Sequence, residues 1–129
     1  MSIQPAETHS FDEYVAIVVT LQPYIDAAKT GHGALMHSVW FDHARAVGSL
    51  GGNSINLNPD EFTALIDSVS GSPNAQSRIA SIDYQGNTAS ARIEFYDWGG
   101  VRYTDFFVPC KQDGKWKISG KVYANHSRS

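Results

Sequence analysis

Residues 88–123, TASARIEFYDWGGVRYTDFFVPCKQDGKWKISGKVY, contain most of the information about the fold. Two short turns, Asp97–Gly100 and Gln112–Gly114, divide this stretch into three segments with strand character. Consecutive strands joined by connections this short must run antiparallel, because a parallel connection needs a dozen residues or more. The stretch therefore predicts three antiparallel strands at Thr88–Tyr96, Val101–Cys110 and Lys115–Tyr123.

The meander extends upstream through a further strand, Arg78–Tyr84, and the turn Gln85–Asn87. Apolar residues at every second position predict one buried face for the strands Thr88–Tyr96 and Lys115–Tyr123. In the last strand this alternation assigns four residues to the apolar face: Trp116, Ile118, Gly120 and Val122. It assigns the other four to a solvated face: Lys117, Ser119, Lys121 and Tyr123.

The first half of the chain predicts three helices and a hairpin. The first helix begins at Ser10 and ends at Gly31, with a kink or break near Leu21 caused by Pro23. The second helix runs from Gly33 to about Phe41. The third begins after the cap Asn58, with Pro59 and Glu61 at the positions typical of a capped N-terminus. The hairpin strands are Ala44–Leu50 and Ser54–Leu57.

These elements predict one α+β domain over residues 1–129, three N-terminal helices packed on an antiparallel sheet, with loose tails at 1–9 and 125–129. The net charge of −3 disfavours nucleic-acid binding, which requires a basic surface. No stretch approaches the roughly 20 apolar residues of a membrane helix, and the N-terminus lacks signal-peptide features. We therefore expect a cytoplasmic protein with no membrane or nucleic-acid partner.

The strand Val101–Cys110 has bulky residues on both faces, with Tyr103 and Phe107 on one and Phe106 and Val108 on the other. Such a strand needs apolar cover on both sides. The helices can cover one face, and a second copy of the chain is the simplest cover for the other. The pattern thus predicts a homodimer through the sheet.

Two groups of residues are candidates for catalysis. His43, next to Asp42 at the corner between helix and strand, could act as an acid or base at a pocket rim, or could lie at the surface. Tyr103 and Asp105 share one strand face, which lines either a pocket or a subunit interface. In a pocket, both could donate hydrogen bonds to a ligand carbonyl.

Aromatic residues could line a pocket for a flat, apolar ligand, although such residues also form cores. The candidates are Tyr14, Tyr24, Trp40, Phe41, Phe62 and Tyr123. The spacing of His32, His37 and His43 places no two on one helical face, so we expect no metal site. Cys110 has no sequence neighbour that would activate it, and no cofactor motif is present.

The order of elements resembles the nuclear transport factor 2-like superfamily, and in particular its branch named "Putative lumazine-binding", related to SnoaL-like proteins. The resemblance rests on six stretches: Tyr24–Gly31, Leu35-Met36, Gly48–Gly52, Arg78–Asp83, Thr104–Phe107 and Lys115–Ile118. It implies a cone-shaped, strongly curved antiparallel sheet, as in cystatin-like folds, with helices closing its mouth. It also implies a dimer through the sheet.

The chain departs from the steroid-isomerase branch of that superfamily. There, a catalytic aspartate lies a few residues into the first strand, at the position of Gly48 in this sequence. Two functions follow as expectations: a dimeric domain that binds a small apolar or aromatic ligand, or a SnoaL-like dehydratase, isomerase or cyclase. The enzyme would use His43, Asp105 and Tyr103 for acid–base chemistry on a carbonyl compound.

Overall fold

The computed structural model describes residues 10–50 and 52–128. The helices are α1 (Ser10–Thr30), α2 (Ala34–His37) and α3 (Pro59–Ser68). The strands are β1 (Ala46–Leu50), β2 (Asn53–Leu57), β3 (Gln76–Gln85), β4 (Thr88–Trp98), β5 (Val101–Gln112) and β6 (Lys115–Arg128). They form one curved six-stranded sheet in the order β2-β1-β6-β5-β4-β3. The predicted α+β class and antiparallel meander are confirmed.

Helix α1 is one continuous element through Pro23, so the predicted break near Leu21 does not occur. Ile17, Leu21 and Tyr24 bury one face of the helix on both sides of the proline, and this packing holds the two halves in one element. The helix ends as predicted at Gly31, which has φ +76° and donates its N–H to the carbonyl of Ala27.

Helix α2 is shorter than predicted because the chain turns at Trp40 to meet the sheet. Trp40 forms a parallel bridge with Ile118, and the Phe41 N–H donates to the carbonyl of Ile118. Helix α3 has the predicted capping box, in which Asn58 accepts from the Glu61 N–H and the Glu61 carboxylate accepts from the Asn58 N–H.

Strand β6 connects the meander to the N-terminal hairpin. It pairs antiparallel with β5 and parallel with β1, where Ala46 lies opposite Lys121 and Val47 opposite Val122. The predicted loose tail at 125–129 is wrong for residues 125–128, which continue β6 because they pair with the start of β5. The predicted tail at 1–9 lies outside the described residues, as does Ser129.

A β-bulge in β6 reverses the faces that the sequence pattern assigns to its second half. Pro109 pairs with Ile118 and Phe107 with Lys121, so that one residue of β5, Val108, lies opposite two of β6. Beyond the extra residue, Lys121 turns to the core side and Val122 to the outer side, where Val122 is 54% exposed. The predicted solvated position of Lys121 is therefore wrong.

The core lies between the helices and the inner face of the sheet, with Tyr24, Ile93, Phe95, Phe107 and Ile118 at its centre. Alternate residues of β5 determine the two faces: Tyr103, Asp105 and Phe107 point inward, and Phe106 points outward. Within 10–50 and 52–128, no helix combines the length and the apolar character needed to cross a membrane.

Candidate functional site

A buried polar cluster occupies the inner face of the sheet and consists of Tyr24, Asp105 and Lys121, from α1, β5 and β6. Lys121 Nζ donates to Asp105 Oδ2 at 3.0 Å and also to Tyr24 Oη. The Tyr24 hydroxyl in turn donates to Asp105 Oδ2 at 2.9 Å. Asp105 and Tyr24 are 0% and 1% exposed, so a charge pair and a phenol are removed from water together.

Aromatic rings surround the ammonium group of Lys121. Its Nζ lies 4.4 Å from the ring centroid of Tyr123 and 4.7 Å from those of Tyr24 and Phe62. These distances are typical of cation–π contacts, which stabilise the charged form. Burial acts in the opposite direction and lowers the pKa of Lys121, while the carboxylate of Asp105 partly offsets this effect.

Burial also raises the pKa of the phenols around the carboxylate. The pKa of Tyr24 lies well above its ordinary value, first because the ring is buried and then because Asp105 repels a phenolate. Burial and Asp105 raise the pKa of Tyr103 in the same way. Burial raises the pKa of Tyr123 to about 12, with smaller contributions from Tyr103 and Asp105. All three hydroxyl groups are therefore donors at neutral pH.

A cavity of about 300 Å³ opens beside this cluster. One wall is the apolar stripe of α3, formed by Phe62, Leu65, Ile66 and Val69. Trp98 and Val101, at the turn between β4 and β5, line it as well, and the polar lining comes from Tyr103, Asp105, Lys121 and Tyr123. A largely apolar enclosure with a few convergent polar groups has the usual character of a small-molecule site, and its volume is at the low end of the range for such sites.

One atom of the buried polar cluster stands out. Asp105 Oδ1 is buried and has no hydrogen-bond partner among residues 10–50 and 52–128, whereas Oδ2 accepts two hydrogen bonds. A buried carboxylate oxygen without a donor is costly and calls for an explanation. A donor group on a bound ligand would satisfy it.

The outer face of the sheet has a second polar cluster around Glu94. Thr104 Oγ1 donates to Glu94 Oε1 at 2.7 Å, and Arg102 pairs with the same oxygen at 3.3 Å. Since the single hydroxyl proton of Thr104 is used, His126 Nε2, at 2.8 Å, must be the donor to Thr104. Burial disfavours the Glu94 carboxylate, but Thr104, Arg102 and Arg92 together outweigh burial and lower its pKa.

The structure brings four of the predicted site residues to the cavity: Tyr103, Asp105, Phe62 and Tyr123. The other five do not line it, and one of them, Tyr24, belongs to the buried polar cluster. His43 is exposed, and its ring stacks on that of Phe41 with the ring centroids 5.2 Å apart. Tyr14 is 43% exposed on α1, and Trp40 is buried in the core. None of His43, Phe41, Tyr14 and Trp40 lines this cavity.

The sequence interpretation missed Lys121, Trp98 and, on α3, Leu65, Ile66 and Val69 as cavity residues. The apolar stripe of α3 is visible in the sequence, but the pattern does not distinguish a cavity wall from a core contact. For Lys121 the signal was a glycine, Gly120, in the middle of a strand, which is a common mark of a bulge.

Comparisons with known proteins agree on one family. The profile of the family described as "Putative lumazine-binding" matches residues 12–124. A nuclear transport factor 2-like protein of unknown function from Shewanella baltica has 35% identity and a TM-score of 0.84, covering 90% of this chain and 95% of its own. No curated protein matches the chain significantly.

Two further solved structures are similar. A nuclear transport factor 2-like protein of unknown function from Methylobacillus flagellatus has 32% identity and a TM-score of 0.84, covering 90% of this chain and 94% of its own. A ketosteroid isomerase-like protein from Erwinia carotovora has 15% identity and a TM-score of 0.68, covering 88% of this chain and 95% of its own. At 15% identity, the similarity to the Erwinia protein shows only a shared fold.

Proposed function

The chain belongs to the family described as "Putative lumazine-binding", with a nuclear transport factor 2-like fold, and we propose that it binds a small, flat, mainly apolar ligand in the cavity beside Asp105. The observation that carries this proposal is the buried Asp105 Oδ1, to which no donor comes from the described residues. The ligand inserts an N–H or O–H group that donates to this oxygen.

The lining defines the rest of the ligand. The walls from α3 and Trp98 favour a planar ring system. Such a ring stacks on aromatic side chains and buries its apolar surface away from water. The hydroxyl groups of Tyr103 and Tyr123 are donors, and they favour a ligand with carbonyl oxygens near its N–H group. A cyclic amide or imide fused to a second ring, as in lumazine, has this combination.

A melting screen tests the proposal. The panel contains lumazine, a flavin, a steroid and a polyketide-like aromatic compound, because a ligand selective for the folded state raises the melting temperature. We expect a concentration-dependent rise with a cyclic imide. The absence of any rise, with the buried pair intact in a crystal structure, would contradict ligand binding in this cavity.

A matched pair of variants locates the binding. Asp105→Asn replaces the carboxylate at the cavity with an amide. Asp83→Asn makes the same change at an exposed position on β3. The first variant should lose the ligand-dependent rise and the second should keep it. Equal rises in both variants would place the ligand elsewhere.

Acid–base chemistry on a carbonyl compound is the second candidate function. It is favoured by the same Asp105 Oδ1, which could accept a proton from a carbon next to a carbonyl group, with Tyr103 or Tyr123 donating to the carbonyl oxygen. The test is exchange of the α-hydrogens of a cyclic ketone with deuterated water. Faster exchange with the wild type than with Asp105→Asn supports this function. Equal exchange rates for the two proteins contradict it.

We infer, in addition, that two copies of the chain pair through the outer face of the sheet. Phe106 and Val122 are neighbours across β5 and β6 and are 51% and 54% exposed. Val47 and Val108 extend this apolar strip, and Arg92, Glu94 and Arg102 flank it with charges of both signs. A two-fold interface must be self-complementary, and a strip flanked by both signs meets that requirement.

Mass measurement in solution tests the pairing. We expect about twice the chain mass of 14.1 kDa at micromolar concentration. Val122→Glu should give the monomer mass, whereas Val19→Glu, at an exposed valine of α1, should leave the mass unchanged. A wild-type protein with the mass of one chain would overturn the inference.

A further inference from the structure

We propose that Lys121 is an amine nucleophile that forms a Schiff base with an aldehyde or ketone entering the cavity. This inference rests on the proposed ligand cavity and adds a covalent chemistry to it. The carbonyl compounds that fit are small aromatic aldehydes and cyclic or β-dicarbonyl ketones, because the opposite wall is apolar and aromatic.

The geometry sets Lys121 apart from the other lysines. Among the five lysines of the chain, Lys121 is the one that lines the cavity, and its side chain is 2% exposed. Its Nζ is hydrogen-bonded to a carboxylate and a phenol, the two kinds of group that a Schiff-base site uses to move protons. By contrast, Lys115 lies exposed at the start of the same strand.

Four titratable groups surround Nζ or the adjoining cavity wall: Tyr24 on α1, Tyr103 and Asp105 on β5, and Tyr123 on β6 itself. Helix α3 contributes apolar side chains to this wall, and the ring of Phe62 lies 4.7 Å from Nζ. Burial lowers the pKa of Lys121 and so increases the fraction of free amine, which is the reactive form.

The step balances without a co-reactant. The lone pair of Nζ attacks the carbonyl carbon, and the π electrons of the C=O bond move to oxygen to give a carbinolamine. Nitrogen gives up two protons in total, the carbonyl oxygen takes both and leaves as water, and a C=N bond forms. Asp105, hydrogen-bonded to Nζ, transfers these protons, and nothing is oxidised or reduced.

Reductive trapping on the wild-type protein is the first test. The protein is incubated with benzaldehyde and sodium cyanoborohydride, digested and mapped by mass spectrometry, lysine by lysine. We expect the peptide containing Lys121 to gain the mass of the aldehyde less one oxygen before the peptide containing Lys115. Labelling of Lys121 no faster than Lys115 would overturn the proposal and leave Lys121 as a structural ion-pair partner.

Acetylacetone gives a second readout, because it converts a reactive lysine into a vinylogous amide with a new near-ultraviolet absorbance band. Lys121→Arg should abolish the band while Lys115→Arg retains it. If Lys121→Arg is unfolded, the mapping on wild-type protein decides the matter.

Competition separates this inference from the proposed function. A ligand that raises the melting temperature should also protect Lys121 from labelling. A melting rise with no preferential labelling contradicts the Schiff base alone. If Lys121 is labelled, no panel compound reduces the labelling and none raises the melting temperature, the proposed ligand class is contradicted. The Schiff-base proposal then stands.

Discussion

Gly48 on β1 lies directly against the ring of Tyr123. A Cβ atom built at position 48 would come within 2.6 Å of Tyr123 Cε1, which is closer than two carbon atoms can approach. Tyr123 lines the cavity. The absence of a side chain at position 48 therefore leaves room for the tyrosine ring that forms part of the cavity wall. The same contact explains why an aspartate cannot occupy this position without moving the tyrosine.

Gly48→Ala should destabilise the fold by about 1–3 kcal/mol, the usual cost of a forced shift in a packed region. Urea unfolding at one protein concentration measures this change. Gly120→Ala is the matched control on the neighbouring strand, since its nearest contact would be an ordinary 3.5 Å. A combined Gly48→Ala, Tyr123→Ala variant should lose less stability than the two single changes predict together. Strict additivity would contradict the contact.

Removing Lys121 should cost more than removing the whole ion pair. Lys121→Met leaves the Asp105 carboxylate buried without its counter-ion and should destabilise the protein by about 3–5 kcal/mol. Lys121→Met combined with Asp105→Leu replaces both charges with apolar groups and should recover most of that loss. The free energies of unfolding from urea titrations provide the comparison. A double variant less stable than Lys121→Met would refute this prediction.

The protein should lose stability between about pH 10.5 and 12. Tyrosines ionise near pH 10 in the unfolded chain, whereas burial raises the pKa of Tyr24, Tyr103 and Tyr123 in the fold, that of Tyr123 to about 12. In this range the folded state binds more protons than the unfolded state, so its stability falls as pH rises. The lowered pKa of Lys121 makes stability rise with pH, but only below pH 10.5, the ordinary pKa of lysine.

Urea unfolding at a series of pH values, with phenolate absorbance recorded in parallel, checks the alkaline prediction. Tyr123→Phe removes one raised pKa and should make the loss of stability with pH shallower. A stability that stays constant from pH 10.5 to 12 would show that the three phenols ionise alike in both states.

Glu94 should contribute stability that is lost in acid. Its pKa in the fold is lowered from 4.5, so the contribution is present above that value and disappears as pH falls through the lower folded pKa. Glu94→Gln should cost about 1.5–3 kcal/mol at pH 7, the scale of hydrogen bonds to a charged group, and flatten the acid side of the profile. Asp83→Asn, exposed on β3, is the control. Identical acid profiles for wild type and Glu94→Gln would contradict the assignment.

Much of the fold was predictable because local chemistry determines it. The turns at Gly86 and Gly114 have positive φ, the Asn58 capping box begins α3, and Gly31 ends α1. Each of these signals acts within a few residues of chain, so the sequence pattern carries it in full. The continuity of α1 through Pro23 was not predictable, since packing against the sheet outweighs the local effect of the proline.

The candidate site was half predictable for a related reason. The alternation in β5 placed Tyr103 and Asp105 on one face, but both faces are bulky and the pattern could not say which one lies inside. The pairing of β5 with β4 and β6, together with the packing of α3, determines which face lies inside. His43 looked suitable by residue type, yet the direction of the corner after α2 turned it to the surface.

By itself, the sequence determined the elements, their order, the antiparallel meander and the supply of aromatic and ionisable groups, because these depend on neighbours along the chain. The tertiary structure alone decided that Lys121 enters the core and meets Asp105 and Tyr24. One extra residue in β6, opposite Phe107–Pro109, reverses the direction of the side chains from Lys121 to the next register shift, after Asn125. A reversal of this kind depends on pairing with another strand, which a period-two pattern does not record.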